Sequence, residues 1–178
     1  MKKPVVASVA VLLFVAVLMP TIGHAEGTKR VGGHVGFVVP LVSRSAGQTT
    51  TVADDFVFGL PTGFGLKNFG RFVVDFEVVP GFQNDPRDVS LELHPGVVIG
   101  VSNGLAAVLR LAVDVEGSAW GFTPLLDRTI YDARTHSLFG ELVVPVRFVD
   151  GTDGTRSAVG LGVHVGYRLL ERASFVSV

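Results

Sequence analysis

The chain has 178 residues, no cysteine and a net charge of −1 at pH 7, with 48% hydrophobic residues and a mean hydropathy of +0.49. No basic stripe or face of the kind that nucleic acid requires is present, so no nucleic-acid partner is expected. Without cysteine there are no disulfides, and the domain must be stabilised by its packing or by its backbone hydrogen bonds.

The first 25 residues have the pattern of a secretory signal peptide. Lys2 and Lys3 precede an apolar run over 5–19, and the small-residue site 23–25 follows it. An uncleaved membrane anchor is the alternative, but a spanning helix needs roughly 20 apolar residues. The pattern therefore favours cleavage before Glu26.

Large apolar residues alternate with small or charged ones in successive segments of the chain. In 55–67, Phe56, Phe58 and Phe64 share one parity, and Gly59 and other small residues occupy the opposite one. Successive side chains of a β-strand point to opposite faces, so each segment has one apolar face. The alternation predicts eight strands, at 31–42, 55–67, 71–83, 88–101, 105–116, 118–131, 137–149 and 157–169.

The connections between these strands alternate in length over the first half of the chain. The polar connection 43–54 is the longest, and 68–70 and 102–104 are short turns. Long external loops and short periplasmic turns predict that both termini are periplasmic and that 43–54 is external. Prolines remove ladder hydrogen-bond donors and predict bulges or distortions within the strands, at Pro40, Pro61, Pro95, Pro124 and Pro145.

The direction of the apolar parity decides between two kinds of barrel. Pointing inward, it would line the pocket of a soluble lipocalin-like cup; pointing outward, it would face lipid. The opposite parity is dominated by Gly, Val and Ala, and beyond residue 25 the only lysines are Lys29 and Lys67, which is unlike a water-facing surface. We therefore predict an all-β, eight-stranded antiparallel up-and-down transmembrane β-barrel at 26–170, with a signal peptide at 1–25 and a short tail at 171–178.

Charged residues and histidines within the strands lie almost entirely on the parity opposite the apolar one. The interior of an eight-stranded barrel is only wide enough to be filled by side chains, so opposite charges are expected to pair there. The predicted polar network of the lumen consists of His34, Asp75, Glu77, Glu92, His94, Arg110, Asp114, Glu116, Glu141, Arg147, His164 and Arg168.

Neither a metal site nor a catalytic site is predicted. The histidines have no local ligand spacing such as His-x-His, and inward acidic residues in a small barrel are more typical of ion-paired packing than of acid–base catalysis. A lipid-modifying enzyme remains an alternative, with His136 and Ser137 beside Asp132 as its candidate residues. No Gly-x-Ser-x-Gly motif supports it, and no cofactor is predicted.

The pattern over 31–169 resembles the small eight-stranded outer-membrane barrels of Gram-negative bacteria, the group that includes the OmpA transmembrane domain and OmpX. Gly162, Val165, Tyr167 and Leu169 resemble the terminal-strand signal of that group. The resemblance implies a location in the bacterial outer membrane, with outer-membrane lipid and the barrel-assembly machinery as partners. Three functions stay open: a structural or interaction role through external loops with a filled lumen, a small-solute pore, or a lipid-modifying enzyme.

Overall fold

The computed structural model describes residues 30–69, 72–84, 87–102, 104–117, 119–133, 135–151 and 154–170. The predicted signal peptide and C-terminal tail lie outside these ranges, and no membrane-crossing helix occurs within them. The strands are β1 (Arg30–Ser45), β2 (Gln48–Thr51), β3 (Val57–Gly59), β4 (Thr62–Phe69), β5 (Phe72–Gln83), β6 (Asp88–Ser102), β7 (Leu105–Asp114), β8 (Ala119–Asp132), β9 (His136–Val143), β10 (Val146–Gly151) and β11 (Gly154–Leu170).

Antiparallel pairing joins these strands into a closed barrel with eight walls. β3 and β4 together form one wall, β9 and β10 form another, and β2 folds back on β1. The ring closes where β1 pairs with β11, from Gly32 opposite Leu170 to Ser45 opposite Ala158. The predicted eight-stranded antiparallel up-and-down barrel is confirmed, and closure leaves no unpaired edge in its wall.

Prolines cause the interruptions of the walls. β3 and β4 are separated at Pro61, β9 and β10 at Pro145, and the pairing of β1 with β11 shifts register after Pro40. Proline cannot donate a backbone hydrogen bond, but its carbonyl still accepts one. The N–H of Gly36 donates to the Pro61 carbonyl at 2.8 Å, and the N–H of Gly160 donates to the Pro145 carbonyl at 2.9 Å. Neighbouring walls therefore stay joined across each break.

The prediction that 43–54 is a loop without strands is wrong. β1 continues to Ser45 and pairs with β2, with Ser45 opposite Gln48. Ala46 and Gly47 have φ of 51° and 82°, the positive values that a two-residue hairpin turn requires. The polar composition indicated a loop, but the β-branched threonines at 49–51 suit a strand. We call the end of the barrel that carries this hairpin the hairpin end, and the opposite end the terminal end.

Apolar side chains cover the outside of the barrel, and we call this surface the outer belt. Charged side chains on the outward parity of the described strands lie at or next to the strand ends, except Arg128, which is four residues from the end of β8. The apolar parity points outward, which excludes the soluble cup. The belt includes Val35, Phe37, Phe64, Leu66, Leu91, Ile99, Leu109, Phe122, Leu126, Leu138, Leu142, Leu161, Val163 and Val165.

Aromatic rings cluster at both borders of the outer belt. Toward the hairpin end, the ring centroids of Trp120 and Phe148 are 4.6 Å apart. Toward the terminal end, His136 stacks on Tyr167 at 5.4 Å and lies 6.1 Å from Tyr131. Amphipathic aromatic rings are enriched where a membrane meets water, so the two clusters mark the borders of the lipid-facing zone.

We expect Leu109→Arg to destabilise the folded barrel in lipid by about 2–4 kcal/mol, because a charge near the bilayer midplane is poorly solvated. Leu109 is 57% exposed in the middle of β7. The matched control is Val115→Arg, just beyond the end of that strand, where the cost is about 0–1 kcal/mol. Urea titration of both variants in phospholipid vesicles measures the difference, and equal losses would contradict the position assigned to the belt.

Candidate functional site

The inward parity brings most of the predicted polar residues together. Six of them are almost fully buried, with 1–7% exposure: Asp75, Glu77, His94, Arg110, Glu141 and His164. His34, Glu92, Arg147 and Arg168 also point inward and make the contacts described below, and Asp114 lies partly buried at the end of β7.

Glu116 does not belong to this network. β7 ends at Asp114, so Glu116 lies exposed in the turn that follows, where its backbone N–H donates to the Asp114 carboxylate at 3.2 Å. The alternation predicted a strand to 116, but the chain turns at Gly117, whose φ is +77°. The assignment of Glu116 to the lumen was wrong, because the alternation of side chains between two faces does not continue beyond the last paired residue of a strand.

The Arg110 guanidinium is the centre of the network. Its Nε donates to Asp75 Oδ2 at 2.8 Å, and its terminal nitrogen Nη1 lies 3.3 Å from Glu77 Oε2 and 3.5 Å from Glu141 Oε2. The three carboxylates come from β5 and β9, on both sides of β7 around the ring. A buried charge is tolerated when it is paired and hydrogen-bonded, and Arg110 supplies that pairing to all three carboxylates.

Three histidines are attached to different carboxylates. His34 Nε2 lies 2.9 Å from Glu77 Oε1, and His94 Nε2 lies 2.7 Å from Glu92 Oε2. His164 Nδ1 lies 2.5 Å from Glu141 Oε2. We call Asp75, Glu77, Arg110, Glu141, His34 and His164 the charged layer.

Two further arginines extend the network toward the ends of the barrel. Arg147 binds Glu92 through two nitrogens, at 2.8 and 3.0 Å. Arg168 pairs with Asp127, and its guanidinium carbon lies 4.0 Å above the ring centre of Phe139. Asp127 is only 3% exposed and was not among the residues predicted for the lumen, although it is the charged residue on the inward parity of its strand.

Glycines on the inner face make room for these large groups. A Cβ on Gly36 would lie 2.1 Å from His164 Nε2, and one on Gly166 would lie 2.4 Å from the Phe139 ring. A Cβ on Gly63 would lie 2.8 Å from His34 Nε2. Each distance is far below van der Waals contact, so the charged layer depends on the absence of side chains opposite it.

The charged layer divides the interior into two cavities. A cavity of about 250 Å³ lies toward the hairpin end, and one of about 500 Å³ lies toward the terminal end. Arg110 contributes to the walls of both. The interior is not uniformly polar, because Val108, Leu125 and Val143 form an apolar cluster beside the charges. Alternation alone did not predict this cluster, because it assigns these side chains to the inner face without showing which of them meet.

The described part of the chain brings no group of metal ligands together, and it separates the two residues considered for a lipid-modifying enzyme. No group of three or more potential ligands could hold a metal ion there. Of the residues considered for a lipid-modifying enzyme, His136 stacks with Tyr131 and Tyr167 in the outer belt, whereas Ser137 is 4% exposed on the inner face. The barrel wall separates their side chains.

Comparison with solved structures finds other small membrane barrels. A de novo designed transmembrane β-barrel is 14% identical, with 78% of this chain and 95% of that chain covered and a TM-score of 0.43. Ail, the attachment invasion locus protein of Yersinia pestis, is 9% identical, with 79% of this chain and 99% of that chain covered and a TM-score of 0.41. The outer membrane protein OprG of Pseudomonas aeruginosa is 10% identical, with 85% of this chain and 99% of that chain covered and a TM-score of 0.41. No family model and no curated protein matches the sequence. Likeness at this level carries no information on function.

The architecture itself is that of an eight-stranded transmembrane β-barrel. Its strands close on themselves, its outside is apolar between two aromatic borders, and its interior holds paired charges. Lipid requires every backbone polar group of a spanning segment to be paired within the protein, and a closed barrel meets that requirement.

Replacing Arg110 by glutamine should destabilise the barrel by about 3–5 kcal/mol, because Asp75, Glu77 and Glu141 would lose their shared cation. The matched control is Arg44→Gln, at an exposed position of β1, where a change within about 0.5 kcal/mol is expected. Folding titrations in the same vesicles give both values. A loss at Arg110 no larger than at Arg44 would show that the network is not required for stability.

Gly36→Ala should cost about 1–3 kcal/mol through overpacking, because His164 is fixed by Glu141 and cannot move away easily. Gly33→Ala on the same strand is the control, since the nearest atom to its added Cβ is 3.9 Å away. If both variants unfold at the same urea concentration, the tight packing around His164 is refuted.

Proposed function

We propose that the protein is an outer-membrane barrel that acts through its external surface and does not conduct solutes. The observation that carries the proposal is the charged layer, in which one buried arginine links carboxylates from both sides of the lumen. Breaking such contacts to open a water path would leave buried charges unpaired. Side chains from five of the eight walls, β1, β5, β7, β9 and β11, meet in this layer, so it crosses the narrow interior of the barrel.

The hairpin end is proposed to be the external end. It carries the β1–β2 hairpin, which projects from the ring because β2 pairs with β1 alone among the described strands. The turn that follows β2 is held by hydrogen bonds from Thr51, whose N–H and hydroxyl both donate to Asp54 Oδ2 at 2.8 Å. The hydrogen bond from the Thr51 backbone has the larger effect and that from its hydroxyl the smaller, and together they lower the pKa of the exposed Asp54 carboxyl. An ordered hairpin with one open edge suits a partner that adds an extended segment to it.

The chain organisation is proposed to be a removable signal peptide at 1–25, the barrel at 26–170 and a short tail at 171–178. The final strand, β11, carries the residues that we propose the barrel-assembly machinery recognises: Gly162, Val165, Tyr167 and Leu169. The mass of the protein recovered from outer membranes tests the cleavage, with Glu26 expected as the first residue. A mass that includes residues 1–25 would support the anchor instead.

Planar-bilayer recording separates the external role from the pore alternative. Folded wild-type protein is expected to give no steady single-channel steps, because the charged layer closes the lumen. The same recording on Arg110→Gln, if it folds, serves as a comparison in which the layer is broken. Large, steady steps from the wild type would overturn the proposal and establish the pore.

Protease treatment of intact cells tests which end is external. Cleavage is expected between 46 and 56, where the hairpin turn and the following turn are exposed. Gly104, at the turn toward the terminal end, should be spared in intact cells and become accessible only after the outer membrane is permeabilised. The reverse pattern would show that the barrel is inserted with the hairpin inside.

A further inference from the structure

A basic residue lies on the outer surface of the barrel, beside the aromatic border at the terminal end. Arg128 is exposed on the outward parity of β8, whose other outward side chains in the outer belt are apolar. We propose that Arg128, together with Tyr131, His136 and Tyr167, binds the phosphate of an anionic phospholipid. This inference goes beyond the external role of the barrel and does not depend on it. Only the assignment of the site to the periplasmic leaflet rests on the proposed orientation.

The depth of Arg128 suits a contact with lipid headgroups. The rings of Tyr131, His136 and Tyr167 mark the border of the outer belt at this end. Tyr131 lies three residues beyond Arg128, and three residues of a strand tilted by about 45° span roughly 7 Å of depth. A long side chain anchored in the apolar zone extends its charge toward the headgroups. The guanidinium can therefore reach the level of the three rings.

A bulge in β8 concentrates side chains around the proposed site. The pairing of β8 with β9 shifts register between Thr129 and Tyr131. Ile130 and Tyr131 are consecutive residues, yet they are 68% and 53% exposed, so both lie on the outer surface. Regular alternation would place only one of them there. The bulge thus adds the Tyr131 ring to the surface that carries Arg128, with the ring centroid of His136 on β9 6.1 Å away.

β9 leaves space beside the guanidinium. Gly140 is the residue opposite Arg128 in the pairing of β8 with β9, and Val165 of β11 is opposite Gly140 on its other side. A Cβ on Gly140 would lie 3.1 Å from Ile130 Cδ1, so the position has little room for a side chain. Arg128 therefore has no large directly paired neighbour on β9, and a headgroup can approach it from that side.

The polar groups of the site are donors that match a phosphate. A guanidinium presents its N–H groups in a fork that suits phosphate oxygens. Tyr131 and Tyr167 add hydroxyl donors, and His136, which contacts both rings, carries at least one N–H in either protonation state. The nearest carboxylates on β8, those of Asp127 and Asp132, line the terminal-end cavity inside the barrel. The outer surface at this point therefore favours an anion.

The apolar surroundings select a lipid over a free anion. Leu126, Ile130 and Leu138 are exposed around the basic side chain. A free anion would gain only from the polar donors. A phospholipid places its phosphate on the donors and its acyl chains along the outer belt, and each CH₂ group buried there is worth about a factor of 4 in binding.

The test uses the full protein folded in micelles of dodecyl maltoside, a neutral detergent without phosphate. Dihexanoyl phosphatidylglycerol is the probe, dihexanoylglycerol its analogue without phosphate, and glycerol phosphate its analogue without acyl chains. Nitrogen-15 labelling reports on Arg128 Nε, which through-bond correlation connects to the Arg128 amide. We expect a saturable shift of this nitrogen with phosphatidylglycerol and none with dihexanoylglycerol. Glycerol phosphate should bind about 10-fold more weakly or worse, because it buries no CH₂ groups of acyl chains.

Three variants, each checked for folding by its mobility on unheated gels, are titrated with phosphatidylglycerol and followed at the backbone amide of residue 131. Arg128→Gln should weaken binding by about 10- to 150-fold, the range of a charge-assisted hydrogen bond. Tyr131→Phe keeps the ring but removes the hydroxyl and should weaken binding by about 2- to 10-fold. Arg44→Gln is the matched control, since Arg44 is exposed at the opposite end of the barrel, and it should leave the affinity unchanged.

The wild-type titration decides the question even if a variant does not fold. A shift that rises without saturation, or that dihexanoylglycerol also produces, would overturn the proposal. Glycerol phosphate that binds as tightly as phosphatidylglycerol would reveal a site for free anions and reject the lipid site. Equal losses in Arg44→Gln and Arg128→Gln would mean that general charge attraction brings the lipid to the barrel, which also contradicts the proposed site.

Discussion

The fold depends on the pairing of β1 with β11. In lipid no water is present to satisfy a free backbone N–H or carbonyl, so a sheet that spans a membrane must have no open edge. The register from Gly32 opposite Leu170 to Ser45 opposite Ala158 removes that edge. Closure then fixes the interior: the inward side chains of eight walls share one narrow space, and those that carry charge must find partners across it.

Small and large residues on the inner face are therefore interdependent. Arg110, His164 and Phe139 fit inside the lumen because Gly96, Gly36 and Gly166 lie where their side chains project. The glycines lower the intrinsic preference of their strands for extended structure, and the ion pairs and ring contacts offset that loss. The outer face has a simpler requirement, since any large apolar residue serves there.

The sequence was sufficient for the parts of the structure that follow from alternation. The eight walls, the outward direction of Leu91 and Leu109 and the inward direction of Glu92 and Arg110 all come from the two-residue period of a strand. The β1–β2 hairpin was not predicted, because Ser, Thr and Gly suit both a loop and a short strand, and the positive φ of Ala46 cannot be seen in the composition. Which carboxylate meets which cation was equally out of reach, since Asp75 and Arg110 lie two strands apart and meet over Gly96 of the strand between them.

The position of Arg110 has a consequence for how the barrel assembles. Its partners lie on β5 and β9, so the charge cluster is complete only when walls on both sides of β7 have curved toward each other. A partly formed sheet in the membrane would hold members of this cluster without their full set of partners, next to hydrocarbon. Intermediates with some walls missing are thereby penalised, which favours insertion and closure as one cooperative transition. The interior thus acts as an electrostatic check on the completeness of the barrel.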